Sequence, residues 1–113
     1  MPEDFLFPVE QLMESAVKPV RVANGTPLRE LSTLILRFLD EGKQRVALEC
    51  IGAPSVNIGI KAVAIANEES IKQGRILVIL PSFELKSFAD RATGKEIEMT
   101  AIRLLVSRLP VLL

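Results

Sequence analysis

The chain has 113 residues, of which 49 % are hydrophobic and 25 % are charged, and its 14 basic residues balance its 14 acidic residues. This length predicts one domain, and this composition is typical of a globular chain and excludes a disordered one. No apolar run reaches the ~18 residues that a membrane span requires. The single cysteine, Cys50, excludes an intrachain disulfide, so we expect a reducing, cytoplasmic environment.

Residues 1–17 differ in composition from the rest of the chain, because they mix acidic and apolar residues around Pro8. We expect an N-terminal extension with a short amphipathic helix after Pro8, a residue that suits a first helical turn. This extension is either a tail packed loosely on the domain or an arm that packs on a partner. A short strand is predicted from Pro19 to Ala23, followed by a turn.

The first long helix is predicted to begin at Thr26 and to end at Gly42. Thr26 would cap the helix with its hydroxyl, and Pro27 would occupy the first helical position. Glycine is a natural C-terminal stop, which is why the helix is predicted to end at Gly42. The apolar stripe of this helix, at helical spacing, consists of Leu28, Leu31, Ile35 and Phe38. This pattern predicts a helix that packs on a sheet by one face.

A second strand is predicted from Gln44 to Ile51. Apolar and polar positions alternate along it, which is the period of a strand with one buried face. Cys50 lies on the apolar side, so we expect a small, unreactive core residue, as free cysteines commonly are.

The next helix is predicted from Pro54 to Lys72, before Gly74, and it carries two apolar stripes. The first stripe consists of Val56, Ile60 and Val63, which we expect to pack on the sheet. The second consists of Ile58, Ala62 and Ile65, on the opposite side. A helix that rests on one sheet needs only one stripe, so we expect the second stripe to lie at or near a subunit interface in a dimer or tetramer.

A third strand is predicted from Arg75 to Leu85, and Pro81 argues for an edge position or a bulge because proline cannot donate to a ladder. A polar, mobile segment is predicted from Lys86 to Lys95. A fourth, antiparallel strand follows, in which the apolar phase changes near Ala101. Either a bulge shifts the register there, or the outer face of that strand is covered.

These elements predict βαβαββ, an α+β two-layer sandwich of two helices on a four-stranded mixed sheet. Three blocks resemble the stage V sporulation protein S (SpoVS) family. The first is I-G-x-x-x-x-N-x-x-x-K-A-V-A-I-A from Ile51 to Ala66, the second is I-L-V-I-L-P-S-F from Ile76 to Phe83, and the third is T-A-I-R-L-L-V from Thr100 to Val106. The resemblance implies an Alba-like domain, which we place at residues 18–113.

The same resemblance implies a small oligomeric regulator related to sporulation that binds DNA or RNA by its phosphate backbone, without strong base readout. In Alba-like proteins a basic hairpin between the third and fourth strands contacts nucleic acid. The predicted nucleic-acid-binding residues are two at the start of the second helix and three on the hairpin: Asn57, Lys61, Lys86, Arg91 and Lys95. The formal net charge of zero means that any basic face must arise from the placement of these residues.

Catalysis is not expected, because the chain has no histidine, no zinc-binding pattern and no phosphate-binding glycine loop. We therefore expect no enzyme, no cofactor and no metal. One alternative is a protein–protein interaction module, a dimeric adaptor that does not bind nucleic acid. Another is a sensor of small anions or nucleotides at the turn around Gly52, where a helix N-terminus favours an anion.

Overall fold

The computed structural model of the protein describes residues 19–43 and 45–111, so the predicted N-terminal extension lies outside the described residues. The elements in chain order are β1 (Val20–Val22), α1 (Leu28–Asp40), β2 (Arg45–Cys50), α2 (Ala53–Lys72), β3 (Arg75–Ala89) and β4 (Glu96–Pro110). The four strands form one sheet in the order β1-β2-β4-β3. β1 and β2 are parallel and the other pairs are antiparallel. The predicted βαβαββ sandwich is confirmed.

The core lies between the two helices and one face of the sheet, and α1 contributes to it through the predicted stripe. Leu31 and Ile35 are buried and pack on a cluster that includes Leu48 and Leu104. The predicted cap at Thr26 is wrong, because its hydroxyl accepts a hydrogen bond from the backbone N–H of Ala23 at 2.8 Å and so serves the preceding turn. None of the described helices is long and apolar enough to cross a membrane.

The face of α2 that packs on the sheet is lined by small residues and differs from the predicted face. Its buried positions are Ser55, Gly59, Ala62, Val63, Ala66 and Ser70. At about 100° per residue, they lie midway between the two predicted stripes. The stripes are therefore the two edges of one wide buried face. Ile60, predicted to pack on the sheet, is 43 % exposed, and Ala62, predicted at a subunit interface, is fully buried within its own domain.

Small residues matter on this face because α2 lies very close to the sheet at Gly59. A Cβ atom at this position would lie 3.1 Å from Leu104 Cδ1 and 3.2 Å from Cys50 Sγ. These distances are tighter than ordinary van der Waals contacts, so a larger side chain would displace its neighbours. Hydrophobicity alone does not mark such a face, since glycine and serine do not count as apolar in a periodicity argument.

β3 and β4 are longer than predicted and pair in one unbroken register, from Arg75 opposite Pro110 to Ala89 opposite Glu96. A bulge near Ala101 is therefore excluded. The apolar phase changes because the outer face of β4 is covered, which was the other predicted explanation: both faces of this strand are buried from Leu104 to Val106. Pro81 lies on β3, which is an edge strand as predicted.

The bounds predicted for the polar segment, Lys86 to Lys95, are wrong, because β3 continues to Ala89. The mobility of this segment stays a prediction. β2 pairs with β4 only between Ile102 and Ser107, so residues 84–101 extend beyond it as a two-stranded hairpin. We call this hairpin the arm. At about 3.3 Å per residue it extends roughly 20 Å beyond the end of β2.

Candidate nucleic-acid interface

The tip of the arm is a hydrogen-bonded turn that presents two exposed cations. The backbone N–H of Asp90 donates to the carbonyl oxygen of Lys95, and the N–H of Gly94 donates to the carbonyl oxygen of Asp90, both at 2.7 Å. The Asp90 carboxylate accepts hydrogen bonds from the N–H of Ala92 and the hydroxyl of Thr93, which lower the pKa of its carboxyl group. These hydrogen bonds close the turn.

Arg91 and Lys95 are exposed on this turn. Neither of them forms a salt bridge with any residue in the described part of the chain. The tip is not strongly basic, however, because Glu96 and Glu98 are also exposed at the start of β4. The hydroxyl of Ser87 donates a short hydrogen bond to the Glu96 carboxylate. The arm therefore offers two available cations on a surface where positive and negative charges are nearly equal in number.

Lys86, the third predicted hairpin residue, is held by carboxylates on the face of the sheet away from the helices. Its ammonium group lies 2.8 Å from Glu49 Oε2 and 3.4 Å from Glu84 Oε1. Glu49 is 2 % exposed and also lies 3.5 Å from Nε of Arg21. We call Arg21, Glu49, Glu84 and Lys86 the carboxylate–cation cluster. The hydrogen bond from Lys86 to Glu49 is the main cause that raises the pKa of Lys86.

Asn57 and Lys61 lie on the opposite side of the molecule from Lys86, exposed on α2. Asn57 lines a groove of about 580 Å³ between the start of α2 and the base of the arm. The described residues that line this groove are Gly52, Ala53, Val56, Asn57, Phe83, Thr100 and Ile102. None of them is charged, so an anion at the predicted site around Gly52 would depend on backbone N–H groups alone, and that alternative stays a prediction.

The five predicted residues therefore occupy three places: the α2 surface, the tip of the arm and the carboxylate–cation cluster. The structure brings together Asn57 with Lys61, and Arg91 with Lys95, but separates Lys86 from both pairs. Glu49 could not be identified from the sequence as the partner of Lys86, because a single glutamate in an alternating strand indicates a solvent-exposed position. Its partners lie on two other strands.

Large apolar side chains that were not among the predicted site residues are exposed on the arm and at its base. Phe83 at its base is 80 % exposed and Leu85 is 66 % exposed, on the side of the groove. Ile97 and Met99 are 44 % and 42 % exposed on the other side. The alternation of apolar residues from Phe83 to Leu85 continues the strand pattern of β3, which is the signal that could have identified them.

Two helices on one face of a four-stranded mixed sheet, with a long terminal hairpin, define an Alba-like α+β domain. The solved structure of Alba from Thermoplasma volcanium has this fold, with a TM-score of 0.60, 10 % sequence identity, and a match that covers 80 % of this chain and 100 % of that one. The sequence model of the stage V sporulation protein S (SpoVS) family matches residues 18–108. The chain therefore belongs to the SpoVS family. No match was found among curated proteins.

Proposed function

We propose that this protein is a small homo-oligomeric regulator of the SpoVS type that binds the phosphate backbone of nucleic acid. The observation that carries this proposal is the arm, a projection of an Alba-like domain with exposed apolar flanks and two available cations, Arg91 and Lys95, at its tip. The family and its fold supply the expectation of nucleic-acid binding. The arm supplies a surface where a phosphate backbone could lie.

Oligomerisation is supported by the exposed apolar side chains of the arm. A two-stranded hairpin is marginally stable in water without further packing, and this one exposes Phe83 and Leu85 beside an apolar groove. In a symmetric dimer the same patch is used twice, so the arm of one copy would cover the groove of the other. Ile60 lies one helical turn from Val56 in the groove wall and would extend the interface.

This interface differs from the predicted one. Ala62 is excluded because it is fully buried within its own domain. Ile58 and Ile65 are half-buried, and their place at an interface stays a prediction. Light scattering on wild type and on Phe83→Ser should show a dimer or tetramer that dissociates in the variant. A stable wild-type monomer at micromolar concentration would contradict the oligomeric part of the proposal.

Phosphate contacts are assigned first to Arg91 and Lys95 and then to Asn57 and Lys61 on α2. Lys86 can contribute only if a phosphate replaces Glu49 as its partner, since Glu49 and Glu84 already surround its ammonium group. With a formal net charge of zero, we expect modest affinity that decreases at physiological salt concentration, unless two tips in a dimer contact the same duplex.

The test is an anisotropy titration against one duplex DNA and one RNA of about 20 nucleotides, at several salt concentrations. The double variant Arg91→Ala/Lys95→Ala should weaken binding to all sequences and reduce the slope of log K against log salt by about one per lost phosphate contact. The control Arg29→Ala/Lys72→Ala removes the same charge from exposed positions away from the arm. Binding that is insensitive to salt, or equally weakened in both double variants, would contradict the assignment.

A second candidate is a protein-interaction module. The observation that favours it is the combination of exposed apolar residues on the arm with a balanced charge, since Lys86 is neutralised by Glu49 and the tip carries Glu96 beside Lys95. Failure to bind either nucleic acid at 20 mM salt, with the oligomer intact, would select this function.

A further inference from the structure

A basic cavity of about 550 Å³ lies at the end of the sheet opposite the arm. It is formed where the C-terminus of α1, the start of β2, the start of β3 and the end of β4 meet. The described residues that line it are Leu39, Gly42, Lys43, Arg45, Arg75, Ser107, Arg108, Leu109 and Pro110. Four of these nine residues are cationic and none is acidic, in a chain whose basic and acidic residues are equal in number.

The charge of this cavity is only partly neutralised by its surroundings. Arg108 Nη1 lies 2.6 Å from the Asp40 carboxylate, and its Nη2 donates to the carbonyl oxygen of Leu39 at 2.9 Å. These contacts fix the guanidinium group, which has five N–H donors, at the cavity wall. Arg75 is exposed and forms no salt bridge with any residue of the described ranges, and Lys43 lies over the Phe38 ring at 4.5 Å. Even with Asp40 counted and Arg45 set aside, Lys43, Arg75 and Arg108 leave an excess of positive charge among the described residues at this cavity.

A second cavity of about 300 Å³ adjoins the first and shares Lys43 and Arg45 with it. Its other described lining residues are Pro19, Val20, Phe38, Val46 and Ala47, none of which is charged. The two cavities together thus place an apolar compartment with one aromatic ring beside a cationic one. A ligand that fits both has an anionic part and an apolar or planar part.

We propose that these two cavities form a binding site for a phosphate-bearing small molecule of the nucleotide class. The phosphate is held in the cationic cavity by Lys43, Arg75 and Arg108, where guanidinium groups match its geometry. The base lies in the apolar cavity against Phe38, where it takes the place of the Lys43 ammonium group as that group turns to the phosphate. This site is distinct from the arm and from the turn at Gly52, so it can be occupied whether or not the arm binds nucleic acid.

Isothermal titration calorimetry with AMP, pyrophosphate and adenosine tests this site, with amide chemical shifts as a second readout. AMP should bind and perturb the amides of Gly42, Lys43 and Arg75. The double variant Lys43→Ala/Arg75→Ala should weaken AMP binding by about tenfold or more per lost cation. Arg29→Ala, an exposed cation near the other end of α1, should leave binding unchanged.

Comparison of the three ligands tests the role of each cavity separately. AMP that binds more tightly than both pyrophosphate and adenosine supports a site that uses both cavities. Pyrophosphate that binds as tightly as AMP would overturn the role of the apolar cavity, and adenosine that binds as tightly would overturn the role of phosphate. No heat and no shift changes with any of the three would overturn the site, and so would AMP binding that survives the double variant.

Discussion

Replacing Lys86 with methionine should destabilise the protein measurably, although Lys86 lies on an edge strand. The substitution keeps most of the apolar stem and removes the ammonium group 2.8 Å from Glu49 Oε2. Glu49 is 2 % exposed, so its buried carboxylate would lose the ammonium group at 2.8 Å and keep the more distant guanidinium group of Arg21, at 3.5 Å. An uncompensated buried charge is among the most destabilising single changes.

The expected loss of stability in Lys86→Met depends on how exposed Lys86 and Arg21 are. Removal of one partner from a fully buried ion pair costs about 3–5 kcal/mol. Here the side chain of Lys86 is 28 % exposed and that of Arg21 is 66 % exposed, so water reaches the pair, and Arg21 still lies beside Glu49 after the substitution. We therefore expect a lower cost of about 1.5–3 kcal/mol, the range for a hydrogen bond to a charged group.

Urea unfolding followed by circular dichroism measures this cost, at one fixed protein concentration because an oligomer's stability depends on it. Lys72→Met is the matched control, since its ion pair with Glu69 is exposed and should contribute less than about 0.5 kcal/mol. In a double-mutant cycle, Lys86→Met with Glu49→Gln should show a coupling of about 1 kcal/mol or more. A Lys86→Met midpoint equal to that of Lys72→Met, or a coupling near zero, would refute the reasoning.

Three further predictions concern pH, reactivity and packing. The pKa of Lys86 is raised in the folded state. Its stabilising contribution is therefore complete below the unfolded pKa of about 10.4 and is lost as the pH rises through the folded pKa. The urea midpoints of wild type and Lys86→Met should converge above the folded pKa, and a constant difference up to pH 12 would contradict this. Burial, with the nearby charge of Glu49 as the smaller cause, raises the pKa of the Cys50 thiol to about 11, so iodoacetamide at pH 8 should modify it at least about 100-fold more slowly in the native protein than in urea; equal rates would show that the thiol is accessible. Ile35→Ala, at a fully buried position, should cost about 2–5 kcal/mol, whereas Ile60→Ala, at a position that is 43 % exposed, should cost less than about 1.5 kcal/mol; equal costs in urea unfolding would mean that Ile60 is buried in solution.

Much of the fold could be predicted because it depends on local patterns. The apolar period of α1 identified Leu31 and Ile35 as core residues, and Gly42, with a φ of +91°, ends the helix region where a left-handed residue is needed. Pro81 identified the edge strand. Each of these features depends on residues within one or two helical turns or within one strand, so neighbouring residues in the sequence are enough to predict it.

The candidate site was predicted less well because its properties depend on residues that are distant in sequence. Arg91 and Lys95 could be located on a hairpin from turn residues and from the family resemblance. The sequestration of Lys86 could not be predicted, since Glu49 is 37 positions away and meets it only through the strand order β1-β2-β4-β3. The basic cavity has the same origin, because Arg75 and Arg108 come from the ends of two different strands.

The sequence by itself determined the number and type of the elements between residues 19 and 111 and the apolar residues of α1, through periodicity and turn chemistry. The tertiary structure decided which face of α2 is buried, because close approach at Gly59 selects small residues, and hydrophobicity cannot report on distance. It also decided which charges remain available, because the free energy of a charged side chain depends on its partners and its exposure. Lys86 and Arg91 have the same formal charge in the sequence, and only the packing of the sheet against Glu49 makes one of them a structural residue and leaves the other exposed at the tip of the arm.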